Sequence, residues 1–335
     1  MSDQAKKRAV LLCPGRGSYT EKSLRSLPPE HPWVVRAEEL RREYALPSLL
    51  ELDQAAKWNA AVHLEPRNIS PLIWLVSLLD SAQARAEHDV VAVAGNSMGW
   101  YTALAVAGAV SFDDGFRLMQ EMSILQQEHA GGGQILYPQV GEDWAPDKAL
   151  IENVRTALAS SNGEAFPSIL LGGQAVLAGT EAGIAHLLRA LPKVKLGQNT
   201  YPFRLMGHGP YHTPLLEDVS ARAREKLGAL AFRAPEVTLV DGRGARFTPW
   251  STDVEALRDY TLGAQVVTPY DFGLSVRIAL REFAPDVVVL PGPGNPLGSI
   301  TAQILIAEGW RGMRSRSEFE AVQGSVTPVL VSMRR

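Results

Sequence analysis

The chain has 335 residues, 46% of them hydrophobic and 21% charged, with a formal net charge of -3, the balance of a soluble globular protein. No long run of Lys or Arg points to nucleic acid or a membrane surface as a partner, and no uncharged stretch is long enough to span a bilayer. The single cysteine, Cys13, leaves no internal disulfide framework and no multi-cysteine zinc site, which fits a reducing, cytoplasmic setting.

From the start, "RAVLLCPGRGS" (8–18) predicts a short buried strand closed by a Pro/Gly turn. Helical periodicity follows over 34–46 and 70–86, the second with Ser70 as N-cap and Pro71 in the first turn. "DVVAVAG" (89–95) predicts a second buried strand, with a helix from about 98 and another over 111–130 that Ser111 caps. Beyond Gly131-Gly132-Gly133 the pattern changes. "QILYPQVG", "DKALIENVRTALAS", "PSILLGG", "AVLAGT", "EAGIAHLLRAL" and "VKLGQN" run strand, helix, strand, strand, helix, strand, the ferredoxin-like order. The division expected is therefore 1–131 with 201–335 as a large unit and 132–200 as an inserted small one. Downstream come a helix in "HTPLLEDVSARAREKLGAL", a strand in "EVTLVDG", helices over 252–264 and 271–284, and a strand-loop-helix in "DVVVLPGPGNPLGSITAQIL". Short apolar strands alternating with helices predict an α/β fold whose mostly parallel sheet is covered on both faces.

Gly95-Asn96-Ser97-Met98-Gly99 fits G-x-S-x-G between a strand and a helix. Glycine at the flanks permits a sharp turn that lifts the serine hydroxyl to a helix N-terminus, where N–H groups and the dipole favour developing negative charge. A plain turn with a capping serine is the other reading; the strand and helix in place favour a nucleophile. A serine needs a base. Of the seven histidines, only His208 and His212 share a Gly/Pro loop before a helix, "GHGPYHTPLLEDV", a setting common for catalytic groups.

Together these segments resemble the malonyl-CoA:acyl carrier protein transacylase family, which includes the acyltransferase domains of polyketide and fatty-acid synthases. "CPGRGS" resembles P-G-Q-G-S-Q, and "GNSMGWYTALAVAGAVSFDDGFRLMQ" resembles G-H-S-L-G-E-Y-x-A-L-x-x-A-G and the helix after it. "GPYHTPLLEDV", "QVVTPYDF" and "LPGPGNPLGSI" resemble the family's later histidine, glutamine and G-P-G segments, in the same order. The resemblance covers nearly the whole chain and implies an α/β-hydrolase-like core with a ferredoxin-like insert. It implies Ser97 as the acylated nucleophile, His212 as its base and Gln265 as the residue that orients the imidazole through its backbone carbonyl. It further implies an oxyanion hole from the amides of Tyr19 and Met98; losing one such donor typically raises the barrier by about 3–4 kcal/mol.

Several positions depart from the family pattern: Arg16 for glutamine, Asn96 for histidine and Trp100 for glutamate. An ungapped alignment also sets Met122 where malonyl-specific members carry the arginine that holds the substrate carboxylate. None of these departures removes the nucleophile or base, and all are expected to reshape the entrance or pocket; Asn96, Trp100 and Met122, with Tyr211 at a position the family uses to shape its acyl pocket, are the expected pocket residues. Met122 favours a non-carboxylated acyl group, since a buried carboxylate needs a partner and methionine suits an apolar tail; the counter-reading is an arginine supplied from elsewhere, such as Arg204. The implied activity is ping-pong transfer of an acyl group from acyl-CoA or an acyl carrier to the phosphopantetheine thiol of an acyl carrier protein. The expected enzyme acts in trans in fatty-acid or polyketide biosynthesis, as a monomer, with no bound cofactor, metal, nucleic acid or membrane. The alternatives are an editing acyl hydrolase and a degenerate protein that only docks the carrier. A generic esterase fits less well, because no histidine follows His212.

Overall fold

In the computed structural model the described residues are 5–129 and 131–334; residues 1–4 of the start segment lie outside them. The larger sheet has six strands in the order Arg246–Phe247, Thr238–Val240, Asp89–Gly95, Arg8–Cys13, Val287–Leu290 and Leu330–Ser332. All neighbours are parallel except the first pair. The chain leaves Arg8–Cys13 for one side of the sheet and later fills the other. The point of reversal lies beside that strand's carboxyl end, where open α/β sheets bind ligands. Both faces are covered, so the strands are near-continuous apolar runs rather than alternating ones.

The smaller sheet follows the ferredoxin-like order, with Ala165–Leu171, Gln174–Gly179, Gly133–Pro138 and Phe203–Arg204 as antiparallel neighbours. Two details differ from expectation. "VKLGQN" does not supply the fourth strand: Val194–Leu196 pairs with Asn199–Tyr201 in a separate ribbon. Gly197, in the left-handed region at φ 58°, turns that ribbon. The fourth strand is Phe203–Arg204, so the small sheet runs past residue 200. Tyr270–Asp271 also joins this sheet, parallel to Ala165–Leu171, and fastens the small unit to the large one.

Period-2 alternation gives the small sheet two faces. Ile135, Tyr137, Ala175 and Leu177 pack in a core of their own with the helices Lys148–Ala159 and Glu181–Ala190. Gln134, Leu136, Gln174 and Val176 point the other way, toward the large sheet.

The helix predicted from Ser70 begins a turn earlier, at Pro66, and runs to Glu87 with Pro71 in its interior. Pro66 takes the first helical position that a proline suits, and Ser70 is buried rather than capping. Pro71 has no N–H for the carbonyl of Arg67 four residues back. That carbonyl accepts instead from the Arg41 guanidinium, at 2.5 Å, and from Gln120 Nε2, at 3.2 Å. Arg41 is fully buried and also donates to Pro47 O, Asn68 Oδ1 and Gln120 Oε1. Burial pushes its pKa down to about 10, so it stays charged at neutral pH. The C-terminal strand is held by a forked ion pair from Arg334 to the buried carboxylate of Asp80. Among the described residues no helix is long and apolar enough to cross a membrane.

Arg41→Met removes the donor for several buried oxygens at once. It is expected to cost at least about 3 kcal/mol, read as a lower urea midpoint with the slope unchanged.

Candidate active site

Strand Asp89–Gly95 ends in a turn whose hydrogen bonds run from Asn96 N to Cys13 O and from Gly99 N to Asn96 O. The helix Gly99–Val106 then starts. A Cβ on Gly95 would lie 2.1 Å from the Gly99 carbonyl group, and one on Gly99 would lie 2.2 Å from Cys13 O. Both contacts are to backbone, so neither position admits a side chain. The closure they permit forces Ser97 into the left-handed region, at φ 55°, a conformation that costs energy for any residue but glycine.

Ser97 Oγ lies 2.6 Å from His212 Nε2. On the far side of the ring, Nδ1 is 2.7 Å from the backbone carbonyl of Gln265. A carbonyl only accepts, so Nδ1 carries the proton and Nε2 presents its lone pair to the serine. Burial pushes the His212 pKa down to about 4, against the Gln265 carbonyl, which favours the protonated ring; the positive charge of Arg16 lowers it further. A neutral imidazole poised against a hydroxyl can take its proton. His212 is itself at φ 58°.

The Gln265 carbonyl is free for this because residue 269, whose N–H would close the helical bond, is Pro269. A π-helical turn over Tyr260–Ala264 leads into it. The Gln265 side chain braces the turn itself: Nε2 donates to Ser97 O at 3.1 Å, and Oε1 accepts from the Tyr101 hydroxyl at 2.8 Å. One residue thus holds both the serine's backbone and the histidine's ring.

The serine and histidine open onto a cavity of about 320 Å³ between the two sheets. The small sheet contributes a mainly apolar wall with Leu136, Ile169 and Val176; Arg16, Asn96, Gln126, His208 and Tyr211 supply polar groups. His208 has a fixed tautomer too. Ser168 Oγ donates to Tyr211 O and so accepts from Gln134 Nε2. Gln134 Oε1 is thereby the acceptor for His208 Nδ1, at 2.8 Å. Burial, with Arg16 nearby, pushes the His208 pKa down to about 3. Among the described residues no cluster of His, Cys, Asp or Glu could hold a metal ion.

No family model matches the chain. In sequence it is 23% identical over 308 residues to a malonyl CoA-acyl carrier protein transacylase of Haemophilus influenzae, covering 89% of this chain and 93% of that one. In sequence the chain is thus similar to the malonyl CoA-acyl carrier protein transacylases. Its fold matches the acyltransferase domain from module 8 of the salinomycin polyketide synthase, with TM-score 0.77 and 19% identity over 99% of this chain and 72% of that one. It also matches a malonyl-transacylase solved with its type II polyketide synthase acyl-carrier protein, with TM-score 0.75 and 18% identity over 98% and 96% of the two chains.

In this chain Ser97, Met98, Asn96, Tyr211, His212 and Gln265 all reach the cavity. Three of the expected residues do not. Tyr19 is buried away from it: its hydroxyl donates to the buried Asp53 carboxylate and its ring stacks on Trp58. Asp53 also accepts from Ser26 N and Leu27 N, and this anchor draws the chain aside after Ser18. The backbone beside the serine is that of Gly15, whose Cβ would lie 3.6 Å from Ser97 Cβ, and Arg16 follows it into the cavity wall. Met122 is fully buried in the main core; Gln126, one turn later on the same helix face, reaches the cavity instead. Trp100 is also core: its Nε1 donates to Thr261 Oγ1 at 3.0 Å and its ring meets Tyr260 edge-on. Arg204 pairs with Glu181 on the surface. Sequence reasoning named Arg16 only as a departure able to reshape the pocket, and missed the cavity role of Gln126 and Gln134, which belong to no motif.

Gly99→Ala is expected to lose about 3 kcal/mol of stability, measured by denaturant unfolding. Because His212 stays neutral until the pH falls toward 4, the rate of Ser97 modification by a serine-directed probe should not fall at the ordinary imidazole value of 6.5. Its acid limb should lie nearer 4, once irreversible unfolding is controlled for by circular dichroism.

Proposed function

We propose that the protein is a Ser-His acyltransferase that carries acyl groups through an acyl-Ser97 intermediate to the phosphopantetheine thiol of an acyl carrier protein. The observation that carries this reading is the line Ser97 Oγ, His212 Nε2, His212 Nδ1 and Gln265 O, with contacts of 2.6 and 2.7 Å.

In the first half-reaction Ser97 Oγ attacks the thioester carbonyl while His212 Nε2 takes its proton. The Gln265 carbonyl stabilises the imidazolium that forms, in place of a triad carboxylate. The oxyanion is held by two amides. One is that of Met98, which stands at the N-terminus of the helix Gly99–Val106, where first-turn N–H groups have no helical acceptor. The other is that of Arg16, next to Gly15 against the serine. Collapse breaks the C–S bond, and the leaving thiolate takes the proton from His212. The second half-reaction reverses these steps with the carrier thiol as nucleophile. Acyl-CoA and phosphopantetheinyl carrier protein are the substrates, and fatty-acid or polyketide synthesis is the setting. The named activity of the Haemophilus relative, and the malonyl-transacylase solved with its carrier, support carrier and reaction alike. The expectation of a non-carboxylated acyl group rested on Met122 and loses that support, since the side chain lies outside the cavity lining.

Intact-mass measurement after exposure to a panel of acyl-CoAs is expected to show one acyl group per chain on the wild type and none on Ser97→Ala. Added phosphopantetheinyl carrier should clear the label onto itself. A labelled Ser97→Ala protein would defeat the nucleophile assignment, and fast release without carrier would make the protein a hydrolase.

A further inference from the structure

The cavity carries one permanent charge. Among its lining residues there is no Asp, Glu or Lys, and Arg16 is the lone arginine. Its two ring neighbours in the wall, His208 and His212, are both neutral at physiological pH, with their Nδ1 protons committed to Gln134 Oε1 and Gln265 O. The half-buried guanidinium donates from Nη1 to the Tyr211 hydroxyl and from Nη2 to Gln126 Oε1, and its carbon lies 4.5 Å above the Tyr211 ring. All these partners are uncharged. Among the described residues no carboxylate comes within ion-pair distance of Arg16, although most of the other arginines have one.

The contrast with Arg41 is informative. Arg41 also lacks a carboxylate, but protein oxygens surround it on every side. Among the described residues the Arg16 Nε–H and the second hydrogens of both terminal nitrogens have no protein acceptor. A partly desolvated cation held in place by neutral groups, with donors to spare, is an incomplete ion pair. The missing half must come from the ligand. Its position indicates which part of the ligand: Arg16 stacks on Tyr211, the residue before His212, and its charge is felt at the imidazole. The acyl end of a thioester lies here, whereas the phosphates of the donor are at the far end of the pantetheine arm.

We propose that Arg16, from the loop after the first strand, is the specificity-determining residue that binds a carboxylate on the acyl group, with Tyr211 and Gln126 aiming its guanidinium. This rests on Ser97 as the acylated residue. The chain thereby supplies from the N-terminal loop the cation that Met122 cannot supply from the helix.

The test compares acyl-Ser97 formation from malonyl-CoA and acetyl-CoA, and from the matching N-acetylcysteamine thioesters, which carry no phosphate. Wild type, Arg16→Gln and Arg16→Lys are used after confirming that each melts cooperatively. The malonyl-to-acetyl rate ratio should fall at least about 30-fold in Arg16→Gln with both carriers. Arg16→Lys, which keeps the charge but not the fork, should fall between. An unchanged ratio overturns the proposal, as does a wild type that loads acetyl in preference to malonyl. A loss seen with the CoA thioesters alone overturns it in favour of a phosphate contact. Calorimetry on Ser97→Ala, with and without Arg16→Gln, reads the same preference as binding of malonyl-CoA over acetyl-CoA. If no donor acylates the wild type, the acyl-enzyme reading falls. The calorimetric preference, present or absent, then decides the Arg16 assignment by itself.

Discussion

A carbonyl without a helical donor organises this site. In a helix the oxygen of Gln265 would be taken by the N–H of residue 269, and proline there has none to give. The oxygen therefore faces His212 and fixes the tautomer that leaves Nε2 bare. A backbone acceptor has a consequence that a carboxylate would not. It orients and polarises the ring without placing a negative charge beside it, so burial wins and the imidazole stays neutral far below its ordinary range. The protein uses the same device elsewhere. Pro71 frees the Arg67 carbonyl, and the buried Arg41 uses it to bind three helices together.

The second constraint is contact between backbones. Gly95 and Gly99 let the helix after the serine press on the end of strand Arg8–Cys13, closely enough that a methyl group would overlap a carbonyl. The strain this puts on Ser97 is borne by neighbours that hold the turn: Gln265 at the serine's own carbonyl and Tyr270 at that of Gly95. Both braces come from the segment that also carries Pro269. A single short stretch, Gln265 to Tyr270, thus fixes the serine's backbone, the histidine's ring and the edge of the small sheet.

The cavity exists because the small sheet has two faces with different duties. One face makes a core with its own helices. The other forms the wall above the serine, apolar through Leu136, Ile169 and Val176, with Gln134 as a polar relay that sets His208. Charge enters this space only at Arg16, and among the described residues no carboxylate pairs with it.

Much of this was legible in the sequence. The spacing of Gly95, Ser97 and Gly99 between an apolar strand and an apolar helix encodes the sharp turn, because backbone sterics are local. The strand-helix alternation encodes the parallel sheet and most of the insert, because periodicity follows from which face is buried. Helix ends marked by side-chain caps, such as Ser111, were equally readable. What failed were positions whose surroundings come from distant segments. Trp100 and Met122 each stand beside a motif, yet their side chains turn into the core, and an ungapped alignment cannot see which way a side chain points; Tyr19 was expected for its backbone amide, but the backbone that lies against Ser97 is that of Gly15. Arg16, Gln126 and Tyr211 become neighbours only when the loop after the first strand, a later helix and the histidine loop converge. The sequence by itself determined most of the elements and the strand-turn-helix that presents Ser97. The tertiary structure alone decided what faces that pair, because the charge and shape of a cavity belong to residues that the chain keeps far apart until it folds.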